Sequence, residues 1–330
     1  MKSTLPWSLL WLLPVLPSLG GCPGNGPFAP GEPNEWDCID MREDWGVVGE
    51  DQYQILVPTM VVEPWQEIFY CYYGTYEGPD VGVVGLRPEI SGGLLHHSLL
   101  KRVDDNEFED GALFDCSSEE FQFPPKPTLF EYVGPPGDDP RQWIHLPDGI
   151  GFKLEQGQRW LAEAHYVNPS DERYCFNTAF DMETIPAEEV VGYAGTYNLD
   201  AGGFELPPGE TSSESFGCAW PNDLEILSLG GHMHGYGASY TVDWHNEAGE
   251  VERVYNIPDW LPSYRYESPI TNWSVGEVSV SAGDVFETTC TWFNDSDHPL
   301  SFPDEMCTTF GVAYPLETSF HCDAGDVLGP

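Results

Sequence analysis

Nowhere in this chain does an apolar pattern hold a helical period over three turns, and that absence confines it to β-architecture. Short runs rich in Val, Tyr, Phe, Trp and Thr alternate instead with clusters of Gly, Pro, Asn and Asp. Tyr53 to Val57, Ile68 to Tyr73, Trp160 to Val167, Glu225 to Leu229, Ala238 to Trp244 and Thr309 to Tyr314 read as strands. The 35 Gly and 30 Pro argue against long helices. The expectation is an all-β chain of two tandem antiparallel β-sandwiches, of jelly-roll or Greek-key type. Its 330 residues suffice for two such domains. The acidic stretch Glu183-Thr184-Ile185-Pro186-Ala187-Glu188-Glu189 is the best boundary, dividing 38–185 from 186–330.

Residues 1–21 read as a secretory signal, with Lys2 followed by the apolar run through Leu9-Leu10-Trp11-Leu12-Leu13. Pro14 and Pro17 interrupt that run, which is too short for a membrane span. Leu19-Gly20-Gly21-Cys22 looks like a bacterial lipobox, with cleavage before Cys22 and lipid on its sulfur. Plain secretion with an ordinary Cys22 is the alternative. Residues 22–37, opening Cys22-Pro23-Gly24-Asn25-Gly26-Pro27, form a flexible tether. The expected location is the bacterial cell envelope, periplasmic or outer surface, with membrane contact only through the lipid. Setting Cys22 aside from 9 Cys leaves an even number in an exported chain, which reads as four disulfides. No C-x-x-C pair is present to suggest thiolate metal ligands.

The formal net charge of -43 excludes nucleic acid as a partner, because such a surface repels phosphates. Only 4 Lys occur, and the 55 Asp and Glu are spread along the whole chain. That is a solvated acidic surface suited to salty surroundings rather than an interaction tail.

Of the 9 His, five fall into two sets: His96-His97 with His165, and His232 with His234. His232 and His234 are at i and i+2, which on a strand puts both imidazoles on one face. His96 and His97 point to opposite faces unless a strand end or bulge brings them together, which Gly92-Gly93 would permit. His165 shares a strand face with Glu163 in Arg159-Trp160-Leu161-Ala162-Glu163-Ala164-His165-Tyr166-Val167, so Glu163 is a candidate to orient an imidazole N–H. Met306 stands in Asp304-Glu305-Met306-Cys307, and a thioether beside two imidazoles favours copper. Each signal alone has a plainer structural reading, as core or surface histidines and core-filling methionine.

The combination, in order over roughly residues 38–325, resembles the copper type II, ascorbate-dependent monooxygenases, the family of dopamine β-monooxygenase and peptidylglycine α-hydroxylating monooxygenase. The resemblance implies two copper ions. His96, His97 and His165 would hold the electron-transfer copper; His232, His234 and Met306 would hold the oxygen-binding copper and form the catalytic centre. The site would lie in the cleft between the two domains. O2 and ascorbate, or a similar reductant, would support hydroxylation of a C–H bond in a small molecule. The family's cysteine framework implies the pairs Cys38–Cys175, Cys71–Cys116, Cys218–Cys322 and Cys290–Cys307.

The chain also departs from that pattern. The family's H-H-M-x-x-[FY]-x-C reads His96-His97-Ser98-Leu99-Leu100-Lys101-Arg102-Val103, and the family's H-x-F is Glu225-Ile226-Leu227. The arginine that anchors a peptide carboxylate is Gly230, and two further peptide contacts are Thr308 and Phe310. Peptide amidation is therefore disfavoured. The competing readings are a non-catalytic copper-binding lipoprotein on the same fold, a cupin-like single-metal oxygenase, and a purely structural β-sandwich lipoprotein. The sequons Asn272-Trp273-Ser274 and Asn294-Asp295-Ser296 are read as carrying no function.

Overall fold

Alternation of apolar and polar side chains builds this molecule. In the strand Val285–Phe293, Phe286, Thr288, Cys290 and Trp292 are buried and their neighbours are more exposed, as a period of two requires. The computed structural model describes residues 37–46, 48–49, 51–90, 95–103, 108–117, 128–133, 144–265, 268–302 and 304–327. The leader, Cys22 and all of the tether except Asp37 lie outside the described residues. Among the described residues the only helices are two 3-10 turns, Ala187–Glu189 and Pro262–Arg265, and no helix is long and apolar enough to cross a membrane.

Among the described residues the strands form three sheets. The largest contains, in lateral order, Tyr174–Pro186, Val81–Ile90, Ile150–Leu154, Gly192–Asp200, Thr308–Tyr314 and Leu224–His232. A five-stranded sheet runs Leu113–Asp115, Glu67–Thr75, Arg159–Val167, Leu95–Val103, Thr128–Val133. A four-stranded sheet runs Thr211–Ala219, Val285–Phe293, Gly237–His245, Val251–Ile257. The all-β expectation holds, and the sheets, antiparallel except for three parallel pairings in the largest, are consistent with a jelly-roll-like topology.

Two large apolar clusters fill the space between sheets. One joins Ile55, Phe152 and Phe180 of the large sheet to Ile68, Leu100 and Tyr166 of the five-stranded sheet. The other joins Tyr197 and Leu229 to Tyr240, Phe286 and Trp292 of the four-stranded sheet. The acidic stretch expected as a boundary ends the strand Tyr174–Pro186 and forms the turn Ala187–Glu189. Hydrogen bonding continues past it, because Gly192–Asp200 pairs in parallel with Ile150–Leu154.

All eight cysteines after Cys22 are oxidised, as Cys38–Cys175, Cys71–Cys116, Cys218–Cys322 and Cys290–Cys307. The last pair bears on the histidines. It fixes Cys307, next to Met306, onto a central strand of the four-stranded sheet.

Candidate functional site

His97 and His165 meet because their strands are neighbours in register: His165 pairs with His97 on one side and with Phe69 on the other. The two imidazoles lie 4.9 Å apart between centroids, and His165 stacks on the Phe69 ring at 3.9 Å. The pairing then shifts so that Tyr166 faces Leu95, which makes His96 the extra residue of a bulge. The side chain of His96 lies outside the described residues.

Two carboxylates serve this pair. His165 Nε2 is 2.9 Å from Glu67 Oε1, so Nε2–H donates to that carboxylate and Nδ1 is the lone-pair nitrogen. Burial is the largest influence on His165 and holds it at about 4, so the ring is neutral at pH 7. Glu163 is fully buried rather than facing solvent, and its Oε2 accepts from Lys101 Nζ at 2.9 Å. Its Oε1 stands 3.8 Å from His97 Nε2, an ion-pair distance too long for a hydrogen bond.

The second set is built differently. The strand Leu224–His232 ends at His232, so His234 lies beyond it and the pair does not share a strand face. Their rings nevertheless approach, with centroids 5.2 Å apart and planes at 83°. Glu305 arranges this. Its buried carboxylate accepts from the backbone N–H of His234 at 2.8 Å and of Tyr236 at 2.7 Å, and from the Trp292 indole at 3.1 Å. The N–H of Met306 reaches the same carboxylate at 3.3 Å. One side chain thus gathers the His234 turn and the Met306 loop. His234 Nδ1 donates to the Asp304 carbonyl at 3.0 Å, which leaves Nε2 as its lone-pair nitrogen. Burial holds His234 at about 4 and drives His232 well below its ordinary range.

The two sets share one neighbourhood. His97 and His165 both act electrostatically on His232 and His234, as does Arg265. Beside His232, the Phe310 ring covers Gly230, where a Cβ would come within 2.7 Å of it. Thr308, paired with His232 on one side and Asp200 on the other, donates its hydroxyl to Asp200 Oδ1 at 2.5 Å. His321 lies 2.8 Å from the other oxygen of Asp200. Sequence reasoning missed Glu67, Lys101, Arg265 and Glu305. Only Lys101, a lysine inside an apolar strand of a chain that has so few, carried a visible signal. Asn294 donates to the Leu206 and His298 carbonyls and is buried, so that sequon belongs to a turn.

No family model and no curated protein matches this chain. Among solved structures it is similar to PNGase F, a glycosylasparaginase from Flavobacterium meningosepticum, at 9% identity over 79% of this chain and 97% of that one, with a TM-score of 0.36. A peptide-N(4)-(N-acetyl-β-D-glucosaminyl) asparagine amidase gives 9% identity, 79% and 96% coverage and a TM-score of 0.35. The VP2 subviral particle of infectious bursal disease virus gives 9%, 79% and 71%, with a TM-score of 0.21. Likenesses this loose carry no argument about this chain's reaction.

The expected copper type II monooxygenase is corrected here. Among the described residues, the one group of three His, Cys, Asp or Glu ligand atoms lying within 4.8 Å of one another is Cys71, Cys116 and Glu163. Cys71 and Cys116 are bonded to each other, so that group offers no thiolate. The described histidines come together in pairs rather than in two three-ligand centres. The family assignment, the two copper ions, the ascorbate-driven hydroxylation and the copper-binding alternative fall together.

Proposed function

We propose that this protein binds one zinc(II) ion through His232, His234 and Met306, as a binding protein. The observation that carries this reading is the geometry of the histidine pair. Two imidazoles bonded to one tetrahedral ion at about 2.0–2.1 Å place their centroids roughly 5 Å apart, and these centroids are 5.2 Å apart. Both rings are held neutral by burial, so their lone pairs need not be freed from protons at pH 7. The bond from His234 Nδ1 to a backbone carbonyl is the support that an imidazole ligand ordinarily has. Met306 enters as third ligand because Glu305 and the Cys290–Cys307 bond hold its loop beside His234.

The wider setting follows the same reading. The segments 38–185 and 186–330 are two β-sandwich domains that share part of one apolar cluster, to which Ala194 and Leu227 contribute, and His97 and His165 form the facing wall of the cleft between them. The chain is an exported lipoprotein anchored through Cys22. Its acidic surface leaves small molecules and ions, not nucleic acids, as partners.

Cobalt(II) tests the reading, because its visible bands report coordination by nitrogen and sulfur. The purified protein should take up one Co2+ per chain with intense tetrahedral bands, displaced by Zn2+. His234→Ala should lower the affinity at least about tenfold. Failure of the wild type to bind, or binding that His234→Ala leaves unchanged, would contradict it.

A further inference from the structure

The strands that carry His97 and His165 toward one end form a second recess at the other. Thr75, Arg102, Phe108, Asp110, Gln158 and Arg159 line an open cleft of about 970 Å³, a size within the range that small-molecule sites use. Arg159 and His165 are six residues apart on one strand. At about 3.3 Å per residue that separates the cleft from the histidines by roughly 20 Å.

The polar groups of the cleft are held in place by the fold itself. Asp110 Oδ1 accepts from Thr75 Oγ1 at 3.0 Å and lies 3.4 Å from Arg159 Nη2. The same guanidinium donates to the Phe108 carbonyl and covers the Tyr73 ring at 5.3 Å. Phe108 stacks on Phe114 at 4.3 Å. Gln158 closes the turn that leads into Arg159. Its N–H bonds to the Glu155 carbonyl at 3.0 Å, and its carbonyl accepts from the Tyr76 N–H at 2.9 Å. Its Oε1 accepts from the Glu155 N–H at 3.3 Å. That leaves the amide nitrogen. Gln158 is only 8% exposed, and its Nε2 has no hydrogen-bond partner among the described residues. A buried N–H donor left unpaired is costly, and this one belongs to a residue in the wall of a cleft.

The lining selects a class of ligand. An anion would meet Glu109, Asp110 and Glu155, in a chain of net charge -43. A cation would meet Arg102 and Arg159, two of only 12 Lys and Arg in the chain. An apolar molecule would leave the Gln158 donor unpaired. A neutral molecule rich in hydroxyls suits the whole set, because each hydroxyl can accept from an amide N–H and donate to a carboxylate. Val103 and Phe108 offer apolar surface to its C–H groups. We propose that this cleft binds a neutral saccharide, with Gln158 as buried donor and Asp110 as acceptor. The site does not depend on an ion at the histidines.

A printed panel of neutral and uronic-acid oligosaccharides tests this, followed by calorimetry with the tightest-binding member. Wild type should bind neutral members and reject the uronic acids. Gln158→Met keeps the length of the side chain without its donor and should weaken binding by roughly tenfold. Asp110→Ala changes an exposed side chain, so it keeps the fold and serves as the test should Gln158→Met fail to fold; it too should weaken binding. Chelator-treated wild type should bind the saccharide as well as untreated protein, whichever way the cobalt titration falls. Binding of no member of the panel would overturn the proposal. So would uronic acids bound as tightly as neutral sugars, or wild-type affinity in either folded variant.

Discussion

Glu163 and Lys101 show how much can depend on one buried pair. Burial is the largest influence on Glu163 and pushes its pKa up, but Lys101 and His97 outweigh it and hold the carboxyl below its ordinary range. Lys101→Met leaves that carboxylate buried without its ammonium partner and should cost about 3–5 kcal/mol, measured by urea denaturation. The double change Lys101→Met with Glu163→Leu should recover most of the loss, because an apolar pair of similar volume serves the fold as well. The histidines set a pH dependence. His165 and His234 titrate near 4 in the fold against 6.5 for the ordinary group, and His232 lower still. Between pH 6.5 and 4 the unfolded chain binds protons that the fold refuses, so stability should fall as pH drops through that window. Glu163 extends the loss from 4.5 downward, since its folded pKa is also depressed. Melting temperatures at pH 7, 5.5 and 4 check the sign; a flat profile would contradict it. Few of these partners were legible in the sequence. Glu163 could be placed on the His165 face by counting twos, but Glu67 is diagonal to His165 through strand pairing, and Glu305 depends on how a loop docks.

The strands themselves were legible, because each carries a period-two or continuously apolar signal. All six expected runs lie within observed strands, among them Gln52–Val62, Glu67–Thr75 and Thr308–Tyr314. Their ends were less legible. The strand holding His232 stops before His234, because Glu305 captures the His234 and Tyr236 N–H groups that a continuing strand would give to its neighbour. Removing the Cys290–Cys307 bond as a double alanine should cost roughly 3 kcal/mol from its 17-residue separation, and it should weaken Co2+ binding by releasing the Met306 loop. Gly311 marks a different constraint. A Cβ there would lie 2.0 Å from the Ser228 carbonyl oxygen and 2.6 Å from the Tyr197 hydroxyl, so Gly311→Ala should destabilise by about 1–3 kcal/mol. At Gly230 the nearest atoms to a Cβ belong to the Phe310 ring, a side chain rather than backbone, and Gly230→Ala should cost less.

The whole molecule combines a large apolar interior with an extreme surface charge. A net charge of -43 opposes compaction by self-repulsion, which salt screens over about 10 Å at 0.1 M. Stability should therefore rise between 0.05 and about 1 M NaCl, read as an upward shift in melting temperature. What misled at this level was motif order. Histidine spacing and cysteine order belong to the chain, but whether imidazoles converge in threes or in pairs is decided by register, bulges and loop docking. The central claim is that His232, His234 and Met306 share one ion. X-ray absorption at the zinc edge of Zn2+-loaded protein tests it most directly. The account predicts two imidazole nitrogens at about 2.0–2.1 Å and a longer sulfur shell that disappears in Met306→Leu. An all-oxygen shell, or a spectrum identical in the two proteins, would contradict it.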